Sequence, residues 1–270
     1  MVKTFTVDPV TRLEGHGNLI LQLSDDCRKL EDIEFYIPET QMFEKFCEGR
    51  LAEHIPRITP RICGICPIPH HITPVRAIEK AWNIDPPSAA KKLRKLMLYS
   101  KIYSSHLLHF YALAAPDFVY GPYSPADKRN VVSILSDLPD YGVKALKMMD
   151  YGQNIIQTIG AKAVHPVTGI PGGMKRRLTE EERDSFLQQA DDQLQWMTDT
   201  VNLALSVVER YWDVIANFAV VPLHNMAIVK DGIHEVYEGD IVFSDPDGKR
   251  SVYKEDQYHE LISEHYTKKS

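Results

Sequence analysis

The sequence lacks the features that would direct a protein to a membrane, a nucleic acid or an export pathway. None of its apolar runs approaches the roughly 20 residues that a membrane-spanning helix needs. The N-terminus lacks the basic, apolar and small-residue order of an export signal. The 270 residues carry a net charge of −6, which does not favour a nucleic-acid-binding surface. We therefore expect a cytoplasmic protein with no membrane span and no nucleic-acid partner.

Cysteine is also scarce, and its positions favour metal binding over disulfides. There are four cysteines, too few for a disulfide scaffold, and the one closely spaced pair is Cys63 and Cys66. Gly64 between them lets a bulky centre approach the backbone. Two thiolates at one point suit a soft metal such as nickel, zinc, copper(I) or the iron of an iron-sulfur centre. Half of a zinc site, a redox dithiol and two buried thiols remain open as alternatives.

Hydrophobic periodicity predicts an α+β fold, mainly helical, with a small N-terminal sheet. Alternating residues near Leu19–Leu23 and in Ile33–Ile37 predict a strand hairpin. Helical spacing predicts one helix over 88–118, whose lysines, including Lys101, form a solvated face. A second helix is predicted over 141–159, although its glycines weaken it.

A third long helix and a β-rich end follow. Thr179 and Glu182 form a capping-box signature at the start of a helix of about 40 residues, which we expect to pack along a large body through its apolar residues. Short β segments are expected at 226–229 and 241–243, with a turn at 245–248 before a return strand. We expect all of 1–270 to form one domain.

Charged residues near these segments could carry chemistry. A cation such as Arg61 or a protonated His70 beside the cysteine pair would favour the metal-binding thiolates. Glu14 lies between an apolar residue and glycine, so it is a candidate for burial and proton transfer, with a solvated turn as the alternative.

Two segments resemble the N-terminal signatures of the large, catalytic subunit of nickel-iron hydrogenases: VDPVTRLEGHG at 7–17 and RICGICPIPHH at 61–71. HLLHFYALAAPDFV at 106–119 and HPVTGIPGG at 165–173 extend the resemblance over most of the chain. The double histidine at the end of the second segment resembles the cytoplasmic, cofactor-reducing branch. The resemblance implies reversible heterolytic cleavage of dihydrogen, with electrons passing to an iron-sulfur small subunit, and with an electron-acceptor module as a further partner.

The resemblance also implies roles for residues at matching positions. Cys63 would be a terminal nickel ligand, and Cys66 would bridge nickel to an iron that carries small diatomic ligands. Glu14 would relay the proton away from a cysteine ligand, and Asp117 would lie in the pocket above the metals. Glu44 would bind a structural magnesium or a second iron.

His70 matches the family histidine that hydrogen-bonds a cysteine sulfur, and Arg61 would accompany it beside the site. Large subunits of this family end with a second cysteine pair, which completes the nickel site, and no cysteine follows Cys66 here. We therefore expect the 270 residues to correspond to the N-terminal portion, with another chain or segment supplying the other two thiolates and covering apolar surface; the alternative is that the metal site is empty.

Two other interpretations remain. One is a non-catalytic scaffold in an electron-transfer complex, similar to the quinone-site subunit of respiratory complex I, which has lost its cysteine ligands. The other is a structural zinc site on an interaction module, formed by Cys63, Cys66, His70 and His71.

Overall fold

The computed structural model describes residues 2–38, 41–121 and 123–263. The chain divides into two compact units, residues 1–46 with 256–270 and residues 47–255. The expectation of one domain over 1–270 stays a prediction. Within the described ranges, every helix is too short or too polar to cross a membrane.

The helices and strands are numbered in chain order. The helices are α1 Phe43–Cys47, α2 Ile55–Ile58, α3 Pro67–Trp82, α4 Ser88–Leu108, α5 Ala115–Tyr120, α6 Val131–Asp137, α7 Pro139–Gly160, α8 Glu180–Arg210, α9 Trp212–Ile215 and α10 Tyr258–Leu261. The strands are β1 Lys3–Val7, β2 Asn18–Leu23, β3 Leu30–Tyr36, β4 Gly169–Ile170, β5 Gly173–Met174, β6 Asn225–Lys230, β7 Ile233–His234, β8 Asp240–Ser244 and β9 Arg250–Tyr253. The predominantly helical α+β class is confirmed.

The first unit contains an antiparallel sheet in the order β1-β2-β3. The predicted hairpin is confirmed as β2 and β3, and β1 adds a strand that the sequence pattern did not predict. The register places Phe5 opposite Leu21 and Leu21 opposite Ile33, so their side chains share one face. Phe5 and Ile33 are more than half exposed, which leaves this apolar face largely uncovered.

The second unit is built on α3, α4 and α7. Their apolar faces form a core with Tyr237 that comprises Ile68, Ile72, Met97, Leu98, Ile155, Ile156 and Ile159. The predicted helix over 88–118 is observed as α4, a π-helical segment at His109–Ala114 and then α5. The π-helical segment has i→i+5 hydrogen bonds, which shift the register of everything that follows.

The predicted helix over 141–159 is confirmed as α7, and its two internal glycines have a packing role. A Cβ at Gly152 would meet the Ser104 hydroxyl and lie 3.0 Å from the carbonyl oxygen of Ser100, both in α4. A Cβ at Gly142 would lie 2.6 Å from Leu135 of α6. The glycines lower helix propensity, but they allow α7 to approach its neighbours closely.

The long helix α8 begins as predicted but packs largely through a different face. Thr179 caps it, and the reciprocal hydrogen bonds with Glu182 form the capping box. Of the predicted contact residues, Met197 packs against the cluster that contains Leu107, whereas Leu187, Leu194 and Val201 are exposed by 62%, 68% and 49%. Phe186 and Trp196 also pack against the core clusters. Two buried polar residues on the same face bind tyrosines on neighbouring elements: Gln193 accepts from Tyr103 Oη at 3.0 Å, and Thr200 pairs with Tyr111 Oη at 2.8 Å.

Two small sheets complete the second unit. The predicted C-terminal strands are confirmed as an antiparallel sheet in the order β7-β6-β8-β9. The turn at 245–248 is closed by Gly248, which has φ +82° and donates its N–H to the Asp245 carbonyl at 3.0 Å. The two-residue strands β4 and β5 form a hairpin that was not predicted.

Candidate metal centre

The predicted cysteine pair lies in a short loop between two helical segments. A 3₁₀ turn over Thr59–Ile62 leads into Cys63, which is 7% exposed, and Cys66 is the half-buried N-cap residue of α3. The backbone N–H of Cys66 donates to Cys63 Sγ at 3.0 Å. Neither cysteine is in a disulfide. This donor set fits one half of a four-thiolate nickel site, because two soft sulfur donors lie three positions apart on one loop.

The surroundings of the loop are electropositive. The loop lies at the N-terminus of α3, where the helix dipole favours negative charge. Lys101 of α4 is half-buried, contrary to the predicted solvated face. Burial lowers the pKa of Lys101, and attraction to Cys66 and Cys63 opposes part of that shift. The ammonium group therefore lies within electrostatic range of both sulfurs.

Two predicted neighbours of the pair lie close to it in the chain. Arg61 is exposed, at the end of the 3₁₀ turn before Cys63. His70 is half-buried in the first turns of α3, and its backbone carbonyl accepts a hydrogen bond from Thr59 Oγ1 at 2.5 Å. The predicted hydrogen bond from the His70 ring to a cysteine sulfur stays a prediction.

The predicted pocket acid Asp117 lies in the first turn of α5. Its carboxylate is 3.1 Å from Nη1 of Arg129, whose Nε donates to the Ser124 carbonyl at 3.0 Å. Both side chains of the ion pair are about three-quarters buried, with exposures of 24% and 29%. Asp117 is thus oriented by a charge-assisted hydrogen bond.

The other predicted acids belong to the first unit. Glu14 lies in the connection between β1 and β2 and is exposed, so the expected burial of its carboxyl group is not observed in the described structure. Glu44 is exposed in the first turn of α1. Within the described ranges, no three or more His, Cys, Asp or Glu side chains gather to hold a metal ion. The roles of both residues stay predictions.

The structure argues against the zinc interpretation. His71 would be one of its four ligands, but its ring lies in the core with 0% exposure. Nδ1 is 2.7 Å from the carbonyl oxygen of Pro56, and Nε2 accepts from the backbone N–H of Gly169 at 2.9 Å. Both ring nitrogens are therefore occupied by backbone groups.

Sequence reasoning missed a buried ion pair between α3 and α4. Arg94 of α4 is 0% exposed and forms two hydrogen bonds with Glu79 of α3, at 2.7 and 2.9 Å. It also donates to the carbonyls of Ile170 and Gly173 in the β4–β5 hairpin. A signal was present, since Glu79 lies in helical register with the apolar stripe that includes Ile72. A charged residue in such a register indicates a buried partner.

Two family models match the cysteine loop and the segment that precedes it. Residues 41–133 match the family model described as nickel-dependent hydrogenase, and residues 4–40 match one described as HoxL-like. One subunit of the F420-non-reducing hydrogenase vhu of Methanocaldococcus jannaschii is 44% identical over 260 residues, which cover 96% of this chain and 62% of that protein. The chain belongs to the nickel-dependent hydrogenase family.

A second relative and a solved hydrogenase structure also match nearly all of this chain. The corresponding vhu subunit of Methanococcus voltae is 42% identical, with 98% of this chain and 63% of that protein covered. A crystal structure of an NAD+-reducing [NiFe]-hydrogenase in the H2-reduced state superposes with a TM-score of 0.93 at 28% identity, covering 98% of this chain and 60% of that one. The 270 residues thus span about three-fifths of the length of these hydrogenase relatives.

Proposed function

We propose that this chain provides the N-terminal part of the catalytic subunit of a nickel-iron hydrogenase, which cleaves dihydrogen reversibly and heterolytically. The observation that carries the proposal is the loop at the start of α3, where two cysteines outside any disulfide lie three positions apart and the backbone N–H of Cys66 donates to Cys63 Sγ. Cys63 and Cys66 would each hold nickel, and Cys66 would also bridge to an iron with diatomic ligands. When bound, this centre would polarise dihydrogen.

The chain's own residues would bind the metals and orient nearby groups. Cys63 is buried, which keeps water away from this ligand. The backbone N–H of Cys66 stabilises negative charge on the Cys63 sulfur. The cation of Lys101 acts in the same direction. Asp117, oriented by Arg129, would line the pocket above the loop, and His70 and Arg61 would support the cysteines from the protein side.

Proton transfer would fall to a carboxylate, for which Glu14 is the proposed residue. Glu44 would bind a structural magnesium or a second iron. Both are exposed in the described structure, so their roles require further polypeptide to enclose them. Two more thiolates are needed as well, and we propose that polypeptide outside these 270 residues supplies them.

The proposed partners follow from the same needs. An iron-sulfur small subunit, with an acceptor module, would carry the electrons away, and the chain would operate in the cytoplasm, where free thiols persist. The uncovered apolar residues on the sheet and on α8 provide surface for such contacts. The scaffold alternative is not favoured, since the relatives that match are hydrogenase subunits.

Elemental analysis of the complex purified with its native partners tests the proposal. We expect nickel and iron in the unmodified complex, loss of nickel in Cys63→Ser, and loss of hydrogen-dependent dye reduction with it. Cys27→Ser, which changes an exposed cysteine in the first unit, is the matched control and should retain both. Zinc alone, or nickel that survives Cys63→Ser, would refute the assignment.

A further inference from the structure

His71 is a fully buried polar side chain close in sequence to the cysteine loop, and the proposed function does not use it. It lies in α3, five positions after Cys66, and has 0% exposure. Its ring connects two segments that are distant in sequence: Pro56 in α2 and Gly169 at the start of β4. The side chain therefore links α3 both to the segment that precedes Cys63 and to the β4–β5 hairpin.

The two backbone partners fix the chemical state of the ring. The Pro56 oxygen is an acceptor, so Nδ1 must carry the hydrogen, and the Gly169 N–H is a donor, so Nε2 must be unprotonated. The ring is neutral in this arrangement. Burial lowers the pKa of His71, the bond to Pro56 partly opposes this, and the charges of Arg94 and Arg57 lower the pKa further.

The close approach of Gly169 is specific to glycine. A Cβ at this position would lie 2.8 Å from Nε2 of His71 and 3.5 Å from Cδ1 of Ile72, so the ring would have to move. Gly169 belongs to the segment HPVTGIPGG, to which no chemical role has been given. Its fit against His71 gives this segment a structural connection to α3.

The bonds on the other side of the ring determine the path of the chain into the cysteine loop. His71 holds the Pro56 carbonyl, and Thr59 Oγ1 donates to the carbonyl of the adjacent His70 at 2.5 Å. The helical turns before Cys63 are thus bound at two points to the helix that begins after Cys66. A loop with both ends bound in this way has few alternative conformations, so its sulfurs are preorganised.

We propose that His71 is a positioning residue for the Cys63–Cys66 pair: its neutral ring holds the Pro56 segment and the Gly169 hairpin against α3, and so fixes the geometry of the two sulfurs. This inference rests on the proposed function only in taking the pair as metal ligands. Without the ring, both cysteines would still be present, but their sulfurs could adopt other arrangements.

Cadmium binding to the 270-residue chain tests the role, because Cd²⁺ is a soft ion whose bonds to thiolates are visible as charge-transfer absorption. We expect His71→Leu to weaken Cd²⁺ binding about tenfold, because it removes both ring hydrogen bonds and leaves the Pro56 carbonyl and the Gly169 N–H without their His71 partner. His71→Asn retains a donor near the position of Nδ1, and we expect it to recover most of the affinity.

Met148→Ala is the control for a general loss of stability, since Met148 is fully buried in the separate cluster with Leu107 and Tyr111. We expect it to destabilise the chain and leave Cd²⁺ affinity within about twofold. Equal losses in Met148→Ala and His71→Leu, or no loss in His71→Leu, would overturn the positioning role.

A measurement on the unmodified chain applies even where His71→Leu does not fold. Nitrogen-15 NMR of the histidine rings should show His71 as the neutral Nδ1–H tautomer at pH 7, and an imidazolium or Nε2–H form would overturn the inference. These readouts do not depend on hydrogenase activity. Failure of the nickel analysis with the expected cadmium result would remove the proposed function and retain the role of His71.

Discussion

Replacing Arg94 by Met tests the buried ion pair that joins α3, α4 and the β4–β5 hairpin. The change leaves the Glu79 carboxylate buried without its cation and removes the donor from the Ile170 and Gly173 carbonyls, at 3.0 and 2.9 Å. Breaking a buried pair from one side costs about 3–5 kcal/mol. The Gly172 N–H, 2.8 Å from Glu79, still stabilises the carboxylate, so we expect a loss within that range.

Urea unfolding of the 270-residue chain, followed by circular dichroism, measures this loss. The double variant Glu79→Leu/Arg94→Met removes both charges, and we expect it to be no less stable than Arg94→Met alone, because no buried charge is left unpaired. Arg183→Met is the matched control, since Arg183 and Asp184 form a solvent-exposed ion pair whose loss we expect to change the stability far less than Arg94→Met does. A cost below about 1 kcal/mol for Arg94→Met would refute the reasoning, since the pair would then behave as solvated.

Two further predictions concern packing and pH. Gly152→Ala should lower the free energy of unfolding by about 1–3 kcal/mol, because its Cβ would press on Ser104. Gly173→Ala is the control: its Cβ would meet no atom within 4 Å, so the free energy of unfolding should change by less than about 0.5 kcal/mol. Equal effects of the two substitutions in thermal unfolding would contradict the close approach of α7 to α4. Despite the opposing effect of burial, hydrogen bonds from Lys95 and backbone N–H groups lower the pKa of Glu235 to about 2. The native state therefore binds this proton less readily than the unfolded state, so stability should fall between about pH 4.5 and pH 2, and Glu235→Gln should flatten that decline in acid unfolding.

Local signals in the sequence were sufficient for much of the fold. Alternation predicted β2 and β3, and the capping box predicted the start of α8, because both patterns depend on neighbours within a few residues. The packing face of α8 was not predictable in this way. The apolar stripe includes Met197, which does pack, but the structure also buries Gln193 and Thr200, which bind tyrosines from other helices.

The candidate site was likewise predictable from the sequence only in part. The spacing of Cys63 and Cys66 identified the loop, and resemblance assigned its ligands. The roles of His71 and Arg94 depend on backbone groups from Gly169 to Gly173, about 75 to 100 positions away in the chain, which no local pattern contains. The partial burial of Lys101 could not be predicted from the sequence, because a lysine on an amphipathic helix is usually solvated.

The π-helical segment at His109–Ala114 makes the direction of Asp117 depend on the backbone hydrogen-bond pattern as well as on side-chain identity. A π-helical turn holds about one residue more than an α-helical turn, so winding the same residues as regular α-helix would rotate everything after them by roughly 100° around the axis. Asp117 would then turn away from Arg129 with every side chain unchanged in type. Relatives that differ in this hydrogen-bond pattern would therefore aim the corresponding acid differently even where every residue in the segment is the same.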